Sequence, residues 1–465
     1  MSSHRILLFL VTVYALLAGL SAVFPEDGID VFGVTLNFPD AKEAAASLLH
    51  REAPPKGPSP EELIAMRMEA VRQAEQDRFE SYFRENPARI HFPDGRTAMF
   101  DPLFEALDNA SEKGVRILHY GDSQLEEDRI SSAIRKGLQE KFGGGGPGLL
   151  PFGRPYYTMC ISQSSTANLQ RALVFGEGSR RSDGRYGIMG QLARLDTSVY
   201  TTVSPVKGNT GPTRYFNRMT MLAGNISGTL NLKCNGRQYS CKESDAAGGV
   251  ARITVELPDS STTVRFSTWG SADIYGFQLD AAGGVSVDNI PMRGSSGTVF
   301  TRMNGGQLRE YAANDNVRLV ILQFGGNSMP YRKSGKAISE YKTSIEKQIR
   351  CIQAAMPKAA VLFIGPSDMS TNIKGKMQTY PHLPMMVDSL KAAANNCGAA
   401  YWDLYSAMGG ENSMVEWVKA RPPLAGGDYV HFTPRGAQAM GEMFFESFML
   451  YYEYYRWRKY GKGRE

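Results

Sequence analysis

The chain has 465 residues, of which 42% are hydrophobic and 21% are charged, and its formal net charge at pH 7 is +5. This composition indicates a globular protein of two or three domains. It excludes a disordered chain, a collagen, a coiled coil, a multi-span transporter and a disulfide-rich miniprotein, and the small, scattered charge excess argues against a nucleic-acid partner.

The N-terminus contains an uncharged apolar run over residues 6–24 (ILLFLVTVYALLAGLSAVF). A helix of about 20 apolar residues spans a bilayer. Arg5 precedes the run and Glu26 follows it, which predicts that everything after the run lies across the membrane from the cytoplasm. Small residues at 19–22 keep a cleaved signal peptide open as the alternative to an anchor. We therefore expect an extracytoplasmic protein.

Five cysteines lie at positions 160, 234, 241, 351 and 397. Cys234 and Cys241 flank the polar segment NGRQYS, so a disulfide between them is a candidate clip for a hairpin. The spacing of the cysteines and the six dispersed histidines does not match a zinc site. We predict neither a metal nor a cofactor.

Residues 26–113 are predicted to be a linker followed by a helical region. Residues 26–58 are rich in Pro, Ala and acidic residues, which favours a tether. Ser59 in the N-cap position and Pro60 in the first turn then predict a helix that runs to about Glu85.

Two separated regions, 114–150 and 284–465, alternate strands with helices. Such alternation predicts one α/β domain with a parallel sheet covered by helices on both faces. The predicted strands are 115–120, 285–289, 317–324, 359–365 and 399–404, and the predicted helices are 128–142, 298–313, 336–356, 384–397 and 434–458.

Residues 151–283 interrupt this domain with short alternating segments such as ARITVELP and TTVRFSTW, separated by Gly, Ser, Asn and Asp turns. That pattern predicts an inserted all-β sandwich. An insertion in a surface loop costs little, because the entropy of loop closure grows slowly with loop length.

Polar motifs follow the predicted strands, where open α/β sheets place their functional residues. Gly121-Asp122-Ser123 puts a serine hydroxyl on a sharp turn between a strand and a helix, although a lone motif of this kind is also typical of a helix N-cap. Asp428 and His431, just before the last helix, can supply a base for a serine and a carboxylate that orients the base.

Two further motifs can stabilise a developing oxyanion. The Asn327 amide, in Gly325-Gly326-Asn327, is one candidate donor, and the N–H of Gly297, in the segment 294–297 (GSSG), is another.

In this order the motifs resemble those of the SGNH hydrolase superfamily, the GDSL-type esterases. The resemblance implies a flavodoxin-like, three-layer α/β domain. It also implies that Ser123 is the nucleophile, that His431 is the general base and that Asp428 orients the histidine. The N–H groups of Ser123 and Gly297 and the amide of Asn327 would then form the oxyanion hole.

Asp122, Gln124 and Gly326 adjoin these residues and are candidate substrate contacts. The chain departs from the common pattern of the superfamily at two places. Gln124 follows the serine where leucine is usual, and Ser328 follows Asn327 where many members carry aspartate. Neither departure touches the three candidate catalytic side chains, but both distance the chain from lipase-like members.

The domain order resembles that of periplasmic peptidoglycan O-acetylesterases, in which a jelly roll similar to a carbohydrate-binding module interrupts the catalytic domain. It also resembles O-acetyltransferases that work beside a membrane acyl-transfer protein. The resemblance implies a periplasmic protein, held by residues 6–24 in the inner membrane or secreted, that acts on peptidoglycan or an acidic envelope glycan. Residues 151–283 hold 14 Lys and Arg against 9 Asp and Glu, which suits an anionic polymer but is equally typical of a solvated surface.

Three functions therefore remain open. The first is a serine-dependent carbohydrate O-acetylesterase that works through an acyl-enzyme. The second is an O-acetyltransferase that uses the same intermediate and passes the acetyl group to a glycan hydroxyl. The third is a non-catalytic glycan-binding assembly factor, against which the intact Ser123, Asp428 and His431 argue.

Overall fold

A computed structural model describes residues 3–49, 57–154, 156–177, 180–246, 248–259 and 261–461. The chain forms two compact units that divide at residue 75. The first unit holds α1 (Ser3–Val23), β1 (Ile29–Val31), β2 (Val34–Leu36), α2 (Ala41–Leu49) and the start of α3 (Pro60–Glu85). By length and composition, α1 can cross a membrane, and it is the one helix in the described residues that meets this test.

Helix α3 begins where the sequence predicts. The Ser59 hydroxyl accepts a hydrogen bond from the Glu62 N–H at 3.1 Å, and the Glu62 carboxylate accepts one from the Ser59 N–H at 2.6 Å. This reciprocal pair is a capping box, which satisfies backbone donors that the first turn leaves without partners.

The tether predicted for residues 26–58 is wrong in its first part, because β1 and β2 form a hairpin there and α2 follows it. Phe32 and Gly33 at the hairpin turn both adopt positive φ, at 57° and 84°. Two consecutive residues in that region are typical of the tightest hairpin turns, whose twist matches that of paired strands. The prediction relied on the Pro- and Ala-rich composition, which does not reveal a tight turn at Phe32 and Gly33.

The second unit contains a six-stranded sheet in the order β14–β4–β15–β16–β19–β3. Five strands are parallel, and β3 pairs antiparallel with β19 at one edge. The strands are β3 (Ile90–His91), β4 (Val115–Gly121), β14 (Val285–Pro291), β15 (Val317–Gln323), β16 (Ala360–Ile364) and β19 (Ala400–Trp402).

Helices cover both faces of this sheet, so the domain has the three layers that the sequence predicts. On one face lie α7 (Gly305–Asn314), α8 (Gly335–Ala355) and α9 (Leu383–Asn396). On the other face lie α4 (Asp101–Asp108), α6 (Ser131–Phe142) and α12 (Pro434–Tyr460). The remaining elements of this domain are α5 (Ala110–Lys113), the hairpin β17 (Ser370–Ile373) and β18 (Lys376–Thr379), α10 (Leu404–Ala407) and α11 (Ser413–Lys419).

Three boundaries differ from the sequence prediction. Helix α6 begins at Ser131 rather than at residue 128, because Glu127 and Asp128 adopt positive φ (62° and 64°) in a short 3-10 segment before it. The predicted helix 298–313 divides into a 3-10 turn and α7. The α/β domain also starts earlier than residue 114, since β3 extends its sheet and α4 packs on it.

The inserted region is β-rich, as predicted, and the nine strands among its described residues pair antiparallel around a core of their own. Two 17-residue strands, β10 and β13, pair along most of their length. The strands are β5 (Gly148–Leu150), β6 (Ile161–Ser165), β7 (Arg171–Leu173), β8 (Gln191–Leu195), β9 (Val199–Pro205), β10 (Arg218–Cys234), β11 (Arg237–Cys241), β12 (Ala251–Glu256) and β13 (Val264–Asp280).

The candidate disulfide between Cys234 and Cys241 does not form, although the hairpin does. In the β10–β11 register Cys234 lies opposite Arg237, whereas Cys241 lies opposite Leu230. The two cysteines are thus offset by four residues along the strand, which is roughly 13 Å and beyond the reach of a disulfide.

A buried ion network joins the inserted region to the sheet. The Arg116 guanidinium on β4 contacts Asp280 at the end of β13 and Asp288 on β14, the latter at 2.6 Å. Asp315, which follows α7, lies 3.8 Å from it. Burial alone would lower the pKa of Arg116, but Asp280 and Asp288 raise it well above its ordinary value, so the guanidinium is charged.

We expect Arg116→Leu to lower the free energy of unfolding by about 3–5 kcal/mol, because it leaves buried carboxylates without their counter-charge. The matched control is Arg218→Leu, which removes an arginine from an exposed pair with Glu256 at 3.3 Å. Exposed pairs contribute up to about 1 kcal/mol. Denaturant titration of both variants measures the difference, and equal losses would contradict a structural role for the network.

Candidate active site

The turn after β4 carries the predicted nucleophile. A Cβ at Gly121 would lie 2.7 Å from the Leu125 side chain and 3.1 Å from the Gln323 carbonyl oxygen, so only glycine fits there. The Asp122 carboxylate accepts a hydrogen bond from the Gln124 N–H at 3.0 Å and caps the 3-10 turn that begins at Ser123. The Leu125 N–H donates to the Asp122 carbonyl at 3.2 Å, so the Ser123 N–H is the backbone group of this turn that is left as a candidate oxyanion donor.

The predicted base lies in a loop before α12, residues 426–432, which we call the histidine loop. The Gly426 N–H donates to the His431 carbonyl at 2.8 Å, and Tyr429 adopts a positive φ of 57°. The Thr433 hydroxyl then accepts from the Gly436 N–H and caps α12. The strained, internally bonded loop fixes the position at which His431 leaves the backbone.

Ser123, His431 and Asp428 form one hydrogen-bonded chain. Ser123 Oγ lies 2.8 Å from His431 Nε2, and His431 Nδ1 lies 2.7 Å from Asp428 Oδ2. An ionised carboxylate only accepts, so Nδ1 carries the proton and Nε2 is left to accept the proton of the serine. The structure thus brings together three side chains that the sequence predicts to act together, although residues 123 and 431 are 308 positions apart.

Hydrogen bonds hold Asp428 in its ionised form. Partial burial alone would raise the pKa of its carboxyl group, but hydrogen bonds from the His431 side chain and from the N–H groups of His431 and Val430 lower that pKa below its ordinary value. The carboxylate therefore stays charged at neutral pH, which stabilises an imidazolium on His431 when the histidine takes up a proton.

The chain of three side chains opens into a cavity of about 580 Å³. Its walls come from the nucleophile turn, the segment after β14, the loops after β15 and β16, and the histidine loop. The lining residues are Asp122, Ser123, Gln124, Glu126, Glu127, Arg129, Arg293, Gly294, Gln323, Phe324, Gly326, Asn327, Pro330, Tyr331, Gly365, Pro366, Ser367, Met369, Tyr380, Leu404, Val430 and His431.

Of the two predicted oxyanion donors outside the nucleophile turn, only Asn327 lines the cavity. Its amide donates one hydrogen bond to the Ser295 carbonyl at 3.2 Å, which holds the group in place and leaves its second N–H for a ligand. Gly297 is buried behind Phe324, and its N–H donates to the Ser295 hydroxyl at 3.1 Å. Gly294, in the same segment, does line the cavity, at φ 74°. Gly294 is therefore a second candidate for the donor that the sequence prediction assigns to Gly297.

Gln124 contacts the histidine loop on both sides of His431. Its amide nitrogen donates to the Val430 carbonyl at 2.7 Å, and its amide oxygen accepts from the Phe432 N–H at 3.4 Å. The amide is therefore committed to backbone groups, and we interpret Gln124 as a positioning residue rather than as the substrate contact that its place in the sequence predicts.

Arg129 strengthens the same connection. Its guanidinium donates to three backbone carbonyls, those of Ser123 at 3.0 Å, Glu126 at 3.0 Å and Phe432 at 3.1 Å. Gln124 and Arg129 together tie the nucleophile turn to the histidine loop, so we call them the clamp. Sequence analysis did not identify Arg129, because arginine bound to carbonyls across two distant loops leaves no local pattern.

Asp122 is a buried carboxyl group within the cavity. Burial raises its pKa to about 6, and the hydrogen bond from the Gln124 N–H and the charge of His431 offset only part of that rise. Its side chain lies near Gly326, the third candidate substrate contact. Asp122 and Gly326 both line the cavity and remain candidate contacts.

Other polar residues near the strand ends are structural. Asp368 accepts from the Met414 N–H at 2.9 Å near the start of α11, and Asp403 caps α10. His119 is buried and bonded through both ring nitrogens, to Gln323 and to Ser131, and burial lowers its pKa to about 4. Among the described residues, no group of three or more His, Cys, Asp or Glu side chains is arranged to hold a metal ion.

Residues 259–439 match the model of the GDSL-like lipase/acylhydrolase family. The match begins in the inserted region and ends in α12, so it includes Asn327, Asp428 and His431 but not Ser123. No curated protein matches the sequence.

Among solved structures, one described as a peptidoglycan O-acetylesterase in action is 22% identical and has a TM-score of 0.62; the alignment covers 76% of this chain and 96% of that one. At this identity the likeness shows a common fold. A family two carbohydrate esterase from Cellvibrio japonicus is 9% identical with a TM-score of 0.25, over 63% of this chain and 98% of that one. An acetylxylan esterase from Geobacillus stearothermophilus, solved as a catalytic mutant, is 14% identical with a TM-score of 0.27, over 36% and 73%.

We expect Gln124→Glu to lower kcat about 10- to 100-fold on a small ester such as p-nitrophenyl acetate, with KM changed less than twofold. The variant loses the donor to the Val430 carbonyl, and small displacements of a catalytic group have effects of this size. Gln353→Glu is the matched control, since it removes an amide that donates to the Cys397 carbonyl at 2.8 Å, outside the cavity. Equal kinetics for the two variants would contradict the positioning role.

We expect the Asp122→Asn variant to be more stable than the native chain at pH 7 and about equally stable at pH 3.5. The pKa of Asp122 is raised from about 3.8 to about 6 on folding, so the folded state binds the extra proton and loses stability as pH rises through that interval. The Tm difference between variant and native chain, measured from pH 3.5 to 7.5, should therefore grow with pH and level off above about 6.5. A constant difference would contradict the raised pKa.

Proposed function

We propose that this chain, which is an SGNH-type ester hydrolase, removes O-acetyl groups from peptidoglycan or from another polysaccharide of the cell envelope. The family match and the three-layer fold support the hydrolase class. We propose in addition that the substrate is a polysaccharide of the cell envelope and that the ester is an acetyl ester.

The hydrogen-bonded chain from Ser123 through His431 to Asp428 is the observation that carries the proposal. It opens into a cavity that also holds the Asn327 amide and Gly294. A nucleophile, a base with the correct tautomer and groups that can bind an oxyanion therefore converge at one place, which is the arrangement that acyl transfer requires.

In the first half of the reaction Ser123 Oγ attacks the acetyl carbonyl carbon while His431 Nε2 takes the serine proton. The negative charge that develops on the carbonyl oxygen is stabilised by the Ser123 N–H, the Gly294 N–H and the Asn327 amide. His431 then gives its proton to the departing sugar oxygen, and an acetyl-serine remains.

In the second half a water molecule takes the place of the sugar hydroxyl. His431 removes a proton from the water, which attacks the acetyl carbonyl, and the same donors stabilise the second oxyanion. Collapse of this intermediate returns the proton to Ser123 Oγ and releases acetate. If a glycan hydroxyl attacks instead of water, the same residues carry out O-acetyl transfer.

The size and lining of the cavity support a sugar ester. A volume of about 580 Å³ exceeds what an acetyl group alone fills and lies in the range of small-ligand pockets. Tyr331 borders the cavity with 81% of its surface exposed, which offers an aromatic face to a pyranose ring.

The fold shared with a peptidoglycan O-acetylesterase supports peptidoglycan as the polymer. Helix α1 supports a periplasmic location, with the catalytic unit held at the inner membrane or released after cleavage. Both statements belong to the proposal.

The test is release of acetate from purified O-acetylated peptidoglycan by the full chain in detergent. We expect Ser123→Ala to lower the rate at least about 10³-fold, because the variant lacks the hydroxyl that forms the acyl-enzyme. Ser339→Ala, which removes an exposed hydroxyl from α8, is the matched control and should keep the native rate.

The outcomes separate the three functions. Release that depends on Ser123 supports the esterase. No release, together with transfer of acetyl from p-nitrophenyl acetate to a glycan acceptor, would favour the transferase. Native cellular function in the Ser123→Ala variant would favour a non-catalytic role.

A further inference from the structure

A second cavity, of about 490 Å³, lies in the inserted region beside the point where the chain enters it. Its floor is the pair of strands β6 and β9, in which Ile161 lies opposite Pro205 and Ser162 lies opposite Ser204. One wall comes from residues 151, 154 and 156–158, and the other from residues 206 and 207, which follow β9. We call this cavity the Arg154 groove.

The described residues that line the Arg154 groove include two cations, Arg154 and Lys207, and no carboxylate. The ion pairs among the described residues of this region involve other basic side chains, such as Arg181 and Arg194 with Asp273, and include neither Arg154 nor Lys207. Two cations without acidic partners at one cavity favour an anionic ligand.

An aromatic ring accompanies the cations. The Arg154 guanidinium lies 4.0 Å from the centre of the Tyr157 ring, which fixes both groups at the edge of the groove. Tyr157 remains 72% exposed, although tyrosines of a β-rich core are ordinarily covered. Exposed aromatic faces beside polar groups are suited to stacking against sugar rings.

The groove adjoins the catalytic cavity. Thr158 lines the groove, Glu127 lines the catalytic cavity, and the Met159 N–H donates to the Glu127 carbonyl at 2.8 Å. Met159 directly follows Thr158 in the chain, so this backbone hydrogen bond lies between the wall of the groove and the wall of the catalytic cavity.

We propose that the Arg154 groove binds a carboxylate-bearing segment of the same polymer whose ester lies at Ser123. Arg154 and Lys207 pair with carboxylates on the sugars or on the peptides attached to them, while Tyr157 stacks on a sugar ring. The proposal rests on the proposed function for the polymer, and it assigns the inserted region a direct part in substrate binding.

The experiment measures binding, so that it does not depend on turnover. The full chain carrying Ser123→Ala is sedimented with insoluble O-acetylated peptidoglycan at 50 mM and 500 mM NaCl. We expect Arg154→Ala combined with Lys207→Ala to raise the dissociation constant at least tenfold at 50 mM salt. The difference should shrink at 500 mM, because salt screens exposed charges.

The matched control combines Lys233→Ala with Arg237→Ala, which removes one lysine and one arginine from the exposed β10–β11 hairpin of the same region. This control removes the same net charge, and we expect it to bind peptidoglycan as tightly as the parent, which is the chain that carries Ser123→Ala alone. A Tm within about 2 °C of the parent establishes that each variant is folded. Peptidoglycan whose carboxyl groups have been amidated should bind parent and groove variant equally.

Equal binding by the groove variant and the control would overturn the proposal, as would groove-dependent binding that survives amidation. Failure of the proposed function looks different, because the native chain would then release no acetate from peptidoglycan. Groove-dependent binding in that case would still support the groove as a binding site for the polymer, and the chain would then catalyse another reaction on that polymer.

Discussion

The buried guanidinium of Arg116 holds together segments that lie far apart in the sequence. It sits on β4, and it binds one aspartate where the inserted region ends and another on the strand that resumes the α/β sheet. A buried charge of this kind is tolerated only when every partner is present. The inserted region is therefore an integral part of the unit that also carries Ser123 and His431.

Hydrogen bonds from the strands under the nucleophile turn, and from the clamp beside it, hold the reactive groups in place. Beneath the nucleophile turn, His119 on β4 bonds to Gln323 on β15 and to Ser131 on α6, and Asn289 on β14 bonds to the Leu125 carbonyl. From the side, the clamp ties that turn to the histidine loop. A serine and a histidine on two short loops thus keep hydrogen-bonding distance, because buried polar groups fully bonded to one another leave few alternative arrangements.

Sequence patterns predicted the parallel sheet, the β-rich insertion and the grouping of Ser123, Asp428 and His431, because strand–helix alternation and motif position are local signals. They did not predict the features that depend on side-chain packing, on the exact position of a loop or on strand register. The choice between Gly294 and Gly297 depends on how Phe324 packs, the role of Gln124 depends on where the backbone of Val430 lies, and the Cys234–Cys241 pairing depends on strand register. The β1–β2 hairpin was missed for another reason, since the prediction for residues 26–58 rested on composition alone.

The order of segments along the chain also determines when activity can arise during synthesis. Strand β4 pairs with β14 and β15, so it gains its first partner strand only when the ribosome has made residue 291 and its second when it has made residue 323. The β-rich region, whose strands pair mostly within residues 148–280, is complete before then. His431 emerges later still, 308 residues after Ser123. Domains fold in the order in which they are made, and a nascent or truncated chain that ends before residue 431 has the serine without its base, so we expect it not to hydrolyse esters.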